Sequence, residues 1–398
     1  ESADAILAEI EALDVFDDVK VGNYDELIKE NKIEIIGDDC FNAFIKSTKK
    51  QSIYNEEKVL NLVYTPLYGA GRKCVTTILR EDGFEHVSVV KEQEMPNGNF
   101  PTCPYPNPEI KEALTLGINQ MMTEKADILV ATDPDSDRVA VAVNDNGEAR
   151  ILSGNETGIL LFDAIYNARK ENGTLTKRPI LVKTIVSSDM ANVIAEDYGV
   201  TVKEVLTGFK YIGEQILLLE RENNTADYLL GFEESCGYLS NTDVRDKDAV
   251  NAVLLIAELA NHLKLQGKSL LDRINELYAK YGDFKTSLLT YEFPGVEGMA
   301  KIQSLMAMFR NEETRKIIGN IDHIGDYKAG TITYNDRVEP TNLPTSDVVK
   351  FFLSDKSTIT VRPSGTEPKL KIYMFADGIE RINALRSLLD SMVKWMKL

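Results

Sequence analysis

The chain has 398 residues, 43% of them hydrophobic, enough for two to four domains with cores of their own. Its formal charge of −18 and pI near 4.8 argue against nucleic acid and anionic membrane surfaces as partners, so residues that bind an anion must be focused locally. There is no secretory signal and no apolar run of about 18 residues, and the four cysteines, Cys40, Cys74, Cys103 and Cys236, lack C-x-x-C spacing, so a cytoplasmic chain with reduced thiols is expected.

The chain opens at Ser2 straight into a helical period with no initiator Met, as though it began mid-protein. Residues 59–64 read as a strand, 71–80 as a helix, 87–90 as a second strand, the Pro/Asn-rich 95–108 as a loop and 109–123 as a helix. Strands at 128–130 and 139–143 follow. A second unit starts with a helix at 155–169, then a strand at 180–183, a helix at 188–197 and a strand at 202–205. Thr207 reads as the N-cap of a helix starting near Tyr211, the strand 228–231 comes next, and helices 249–262 and 270–281 close the unit. From about residue 284 the pattern changes to neighbouring strands, 286–291, 348–353, 357–361 and 369–375, with helices at 299–309 and 379–397, which indicates an α+β domain.

Asp133, Asp135 and Asp137 stand at alternate positions where an apolar run ends, so they can converge on one hard cation such as Mg²⁺, Mn²⁺ or Ca²⁺, with Pro134 stiffening the turn. An EF-hand is excluded, because Arg138 and Asn144 occupy positions that need Gly and Glu. A haloacid-dehalogenase-type phosphatase with Asp133 as nucleophile and a solvated acidic turn stay open, although Arg138 favours a phosphate-handling metal site.

Four further segments carry chemistry. In Arg362-Pro-Ser-Gly-Thr-Glu-Pro-Lys-Leu-Lys, the turn Ser364-Gly365-Thr366 can surround an oxyanion, Arg362 offers a bidentate fork, and Lys369 and Lys371 share one strand face; a plain hairpin turn is the alternative. In Gly231-Phe-Glu-Glu-Ser, Glu233 and Ser235 fall on one side of an extended segment and can grip vicinal sugar hydroxyls, or they simply begin a helix. Thr207-Gly208-Phe-Lys210 can bind phosphate through N–H groups and the lysine, or act as a cap. Lys247, within Arg245-Asp-Lys-Asp, reads as a surface lysine more readily than as an active-site cation.

Together and in this order, with Thr65-Pro-Leu-Tyr-Gly-Ala-Gly upstream, these segments make the chain resemble the α-D-phosphohexomutase family, in its phosphoglucomutase/phosphomannomutase branch. The resemblance implies two consecutive α/β domains with mixed sheets flanked by helices, followed by a smaller α+β C-terminal domain. It places a metal-binding domain at 35–152, a sugar-binding domain at 153–283 and a phosphate-binding domain at 284–398, with 1–34 a remnant of, or linker from, a first domain. It also implies interconversion of hexose 1-phosphate and hexose 6-phosphate, of glucose and/or mannose, through a phosphoserine and a hexose 1,6-bisphosphate that serves as activator.

Under that resemblance Mg²⁺ is held by Asp133, Asp135 and Asp137, and Arg138 and Lys247 act beside it. Thr207, Gly208, Lys210, Glu233, Ser235, Arg362, Ser364, Gly365, Thr366 and Lys371 bind the substrate. The family's phosphorylated serine lies in a Ser-His-Asn loop, and no Ser-His-Asn occurs in these 398 residues. The chain is therefore expected to be an inactive piece of such an enzyme, and a non-catalytic sugar-phosphate binder stays open as an alternative.

Overall fold

The computed structural model describes residues 2–295, 297–365 and 367–396. The chain divides into two compact units, residues 1–44 and 45–398. The first holds helices Ser2–Ala12 and Tyr24–Lys29, the latter capped by Asn23, whose side chain accepts the Glu26 N–H.

Three sheets organise the second unit. The first contains β1 (Leu62–Thr65), β2 (Val87–Val89), β3 (Ile128–Thr132), β4 (Val139–Asp145) and β5 (Glu148–Leu152) in the order β2-β1-β3-β4-β5. The second contains β6 (Ile180–Thr184), β7 (Thr201–Val205), β8 (Tyr228–Glu233) and β9 (Gly237–Leu239) in the order β7-β6-β8-β9. In each sheet the first three strands are parallel and the fourth returns antiparallel to the third, so both are mixed and share one plan. β1, β3, β6 and β8 are buried along their whole length, which explains why they read as short continuous apolar runs rather than alternating ones.

The helix expected at 109–123 starts later, as a 3-10 turn at Lys111–Leu114 that continues into Thr115–Glu124. The Asn107 side chain accepts the Glu109 N–H, a local turn that keeps Glu109 outside the helix. Thr207 is not an N-cap. The helix Phe209–Arg221 is preceded by Gly208 at φ +122°, and the glycine makes the turn that a capping side chain would otherwise make.

The C-terminal domain is a wholly antiparallel sheet of β10 (Phe284–Glu292), β11 (Ile321–Asp326), β12 (Thr331–Thr333), β13 (Val338–Pro340), β14 (Val349–Leu353), β15 (Thr358–Pro363) and β16 (Lys369–Asp377), in the order β10-β16-β15-β14-β11-β12-β13. Helices Gly298–Arg310 and Ile379–Met396 enclose a core that includes Phe309, Phe351, Ile359, Ile372 and Leu389. Elsewhere on this domain Tyr327, Val348, Tyr373 and Phe375 pack against Ile185, Val186 and Leu206, which follow the C-terminal ends of β6 and β7. Lys183 and Lys350, both fully buried, share Asp189 at 3.4 and 3.3 Å; Lys183 also meets Glu204 at 2.8 Å, Lys350 donates to the Ile185 carbonyl at 3.0 Å, and the Thr358 hydroxyl donates to Asp189 at 3.0 Å.

Candidate functional site

The three aspartates occupy the connection between β3 and β4, which is a hairpin closed by the Thr132–Val139 pair. Inside it the Ser136 N–H donates to the Asp133 carbonyl at 3.0 Å, and Ser136 sits at φ +58°. That tight fold turns the side chains inward, and oxygens of Asp133, Asp135 and Asp137 lie within 4.8 Å of one another. Asp133 is fully buried and accepts from the N–H groups of Asp137 and Arg138 and from Arg138 Nε at 2.6 Å. Burial pushes its pKa up to about 6 against the pull of those donors.

Asp137 pairs with Lys247 Nζ at 2.6 Å, so Lys247 is no surface lysine. Burial is the largest single influence and works against its charge, yet the bond and charge of Asp137 together with the charges of Asp246 and Glu233 outweigh it and lift its pKa. Ser136 Oγ and Asp137 Oδ1 are buried without a hydrogen bond. Arg138 Nε stands 3.6 Å from that Asp137 oxygen, and the lone Ser136 hydroxyl together with the three carboxylates forms a donor set that fits a hard divalent cation.

The hairpin is supported from below by the Thr65-Pro-Leu-Tyr-Gly-Ala-Gly turn. The Ala70 N–H donates to the Pro134 carbonyl at 2.7 Å, and a Cβ on Gly69 would lie 2.4 Å from Pro134 Cα. Only glycine allows the two backbones to meet so closely.

The β8–β9 turn lies against the same hairpin. Arg138 and Gly237 form an isolated antiparallel bridge, the Val139 N–H donates to the Cys236 carbonyl at 3.0 Å, and the Ala249 N–H donates to the Ser136 carbonyl at 3.1 Å. Glu233 ends β8 and accepts the Gly208 N–H at 2.8 Å, which brings two predicted segments together. Burial, reinforced by the neighbouring Glu234 charge, raises the Glu233 pKa to about 7. Thr207 Oγ1 is buried with no hydrogen-bond partner, and Ser235 is half-buried in the turn. Lys210 is exposed, with its ammonium over the Tyr211 ring, 5.0 Å from the centroid.

In the C-terminal domain Arg362 lies across from Lys371 in the β15–β16 register and donates to the Tyr373 hydroxyl at 3.2 Å. The Ser364 N–H donates to the Lys369 carbonyl at 2.8 Å, so the turn is a real hairpin, while Gly365 has open space around it. Thr366 lies outside the described residues. Lys369 is occupied by Glu292 and Glu367 at 3.0 and 2.9 Å, which leaves Lys371 as the lysine nearer to Arg362.

Two acidic residues were missed in the sequence. Glu109 is exposed at the surface, yet the protein around its carboxyl raises its pKa, while the charges of Arg138 in the metal hairpin and Lys371 on β16 pull it down. Glu234 is similarly raised by burial and opposed by Arg362 and Lys371, and it accepts from the Thr184 hydroxyl at 3.3 Å. Neither carries a local signal, because their cationic partners are distant in the chain, Arg138 within the same domain as Glu109 and Arg362 and Lys371 in the C-terminal domain.

Two like-built α/β sheets followed by an antiparallel sheet, with acidic and basic groups from all three near one another, define a multidomain α/β protein. Three successive domain models match this chain: phosphoglucomutase/phosphomannomutase alpha/beta/alpha domain II over residues 41–147, alpha/beta/alpha domain III over 153–281 and the C-terminal domain over 299–390. The chain is 33% identical over 371 residues to a phosphoglucomutase of Staphylococcus saprophyticus, covering 92% of this chain and 66% of the relative. It is 34% identical over 352 residues to a phosphoglucomutase of Staphylococcus aureus, covering 86% of this chain and 62% of the relative. A solved phosphoglucomutase/phosphomannomutase family protein from Burkholderia thailandensis has a likeness of fold, with a TM-score of 0.63 at 14% identity over 89% of this chain and 64% of that one. The chain belongs to the phosphoglucomutase/phosphomannomutase family. It spans a little under two thirds of the length of the curated relatives it matches.

Proposed function

We propose that these residues form the metal-, sugar- and phosphate-binding parts of a cytoplasmic phosphohexomutase that interconverts hexose 1-phosphate and hexose 6-phosphate of glucose and/or mannose. The observation that carries this reading is the bridge between Arg138 and Gly237, which sets the acidic hairpin against the turn that bears Glu233 and Ser235. A single sugar phosphate can then meet charge neutralisation at one end and hydroxyl acceptors along its ring.

Asp133, Asp135 and Asp137 would hold Mg²⁺, which when bound supplies positive charge to phosphoryl oxygens, the main electrostatic demand of this transfer. Arg138 and Lys247 keep two of those carboxylates fixed and add positive charge beside them. Glu233 and Ser235 take sugar hydroxyls, with Gly208 fixing the Glu233 carboxylate and Thr207 presenting an unpaired hydroxyl nearby. Arg362, Ser364, Gly365, Thr366 and Lys371 clamp the phosphate that does not react, which positions the sugar without chemistry. Lys210 is the outlying member of this set, because its ammonium lies over Tyr211. We place the metal-binding domain at 35–152, the sugar-binding domain at 153–283 and the phosphate-binding domain at 284–398. A hexose 1,6-bisphosphate is the proposed activator.

Residues 1–398 contain no Ser-His-Asn, so we propose that this polypeptide by itself binds hexose phosphate without turning it over. Calorimetry with glucose 6-phosphate and a turnover assay with glucose 1-phosphate, Mg²⁺ and glucose 1,6-bisphosphate test both parts. Binding is expected to weaken by about 1.5–3 kcal/mol in Arg362→Ala, with partial recovery in Arg362→Lys, which lacks the planar fork. Unchanged affinity in Arg362→Ala would reduce the clamp to a hairpin turn. Turnover above that of Asp135→Asn would overturn the binding-only reading.

A further inference from the structure

Arg362 and Tyr373 sit on neighbouring strands, and Arg362 Nη1 donates to the Tyr373 hydroxyl at 3.2 Å. A guanidinium only donates, so the phenol oxygen is the acceptor and its own proton must go elsewhere. Burial, and after it the nearby charge of Glu234, the turn residue between Glu233 and Ser235, raise the pKa of that phenol, and Glu234 itself accepts from Thr184 on its Oε2 at 3.3 Å. Both ends of this run are anchored. Thr184 is fully buried at the end of β6, and the Tyr373 ring is buried with Ile185, Val186, Leu206 and Phe375. The same short turn thus directs Glu233 to the Gly208 N–H and Glu234 to the phenol beside Arg362.

We infer that Tyr373 and Glu234 are positioning residues for phosphate recognition: the Tyr373 hydroxyl holds the Arg362 guanidinium ready for the non-reacting phosphate, and Glu234 takes the phenolic proton so that the oxygen lone pair faces Arg362. The inference rests on the reading of Arg362 as a phosphate clamp. An unrestrained arginine loses rotamer freedom when it binds, and a side chain already held in place loses less. Because Glu234 belongs to the sugar-binding turn, the phosphate clamp and the sugar contacts are set by one backbone segment.

Calorimetric titration of the 398-residue polypeptide with inorganic phosphate and with glucose 6-phosphate, alongside melting temperatures, decides the matter. Tyr373→Phe is expected to weaken both ligands roughly three- to tenfold with the melting temperature close to the parent's, and to cost nothing further in an Arg362→Ala background. Glu234→Ala should reproduce the loss, and Glu234→Gln, which keeps an accepting oxygen, should recover most of it. If Arg362→Ala weakens both ligands but Tyr373→Phe does not, the inference fails while the clamp stands. If Arg362→Ala changes neither, the clamp itself fails. A Tyr373→Phe loss that persists undiminished beside Arg362→Ala would mean general loosening and overturn the inference, and Glu234→Gln no better than Glu234→Ala would overturn the part given to Glu234.

Discussion

The Asp133–Arg138 hairpin and the Glu234–Cys236 turn occupy equivalent places, each joining the third strand of a sheet to its antiparallel fourth. Each begins at a buried carboxylate, Asp133 or Glu233, and each is met by a glycine from a neighbouring segment, Gly69 under the first and Gly154 under the second. The surroundings separate them. Asp133 faces Arg138, and its neighbour Asp137 faces Lys247, whereas Glu233 faces a backbone N–H. One plan therefore yields a charge-handling site where side-chain cations are supplied and a hydroxyl-binding site where a neutral donor is supplied. The carboxylate is common to both, and its partner assigns the task.

Between these two loops, the largest expected effect comes from the two glycines. A Cβ at Gly154 would lie 2.0 Å from the Glu234 carbonyl oxygen, and one at Gly69 would lie 2.4 Å from Pro134 Cα, both backbone atoms that no side-chain rotation relieves. Gly154→Val and Gly69→Val should each cost about 3 kcal/mol in urea unfolding. Milder Gly→Ala variants should divide by ligand. Gly69→Ala should lose the response of the melting temperature to Mg²⁺ and keep glucose 6-phosphate affinity, and Gly154→Ala should do the reverse. Equal damage to both ligands from either variant would show that the two loops move as one.

A smaller effect distinguishes the carboxylates by pH. Glu233 titrates near 7 in the fold against an ordinary 4.5, so the folded state binds its proton more tightly than the unfolded chain does. Its contribution is full below about 4.5 and is lost as pH rises through about 7. Glu258, also near 7, and Asp248, near 6, act in the same direction, and carboxyls held below their ordinary values change stability only at lower pH. Unfolding free energies measured from pH 5 to 8 should therefore fall, and Glu233→Gln should remove about 1–3 kcal/mol of that fall. A slope unchanged in Glu233→Gln would mean that the Gly208 N–H already balances the burial.

Least in size is the effect of the cation that competes with metal. Lys247→Met frees Asp137, so Mg²⁺ should bind more tightly by about 0.5–1 kcal/mol, read as a larger shift of the melting temperature at the same Mg²⁺ concentration. A smaller shift would make Lys247 a support for the acidic hairpin rather than its competitor.

Legibility in the sequence followed the reach of each interaction. The acidic hairpin could be read because its carboxylates and Arg138 are neighbours in the chain, and the parallel strands could be read because burial on both faces leaves continuous apolar runs. Strands β12 and β13 have three residues each, too few for a period, and no strand is read from the sequence between 309 and 348. Lys247 looked like a surface lysine from its own segment, because its partner Asp137 is in another domain, and only the family resemblance set it beside the metal hairpin. Glu109 and Tyr373 were passed over because their partners are distant in the chain or across the register of a hairpin, and a carboxylate before a helix and a tyrosine in a strand look ordinary until the opposing charges are placed. Thr207 carried the right residue type for a cap, but Gly208 beside it made the turn.

The buried charges that join β14 to the second sheet constrain how such a sequence can drift. Removing Lys350 alone leaves Asp189 and Glu204 to share Lys183, and removing Asp189 alone leaves two fully buried ammonium groups with one partly exposed carboxylate. Either step is expected to cost about 3–5 kcal/mol, whereas exchanging the whole group for apolar side chains of similar volume is close to neutral. Viable descendants therefore keep all four charges or lose them together, which makes the cluster a marker of lineage that records ancestry through inheritance, whatever sugar its descendants come to bind.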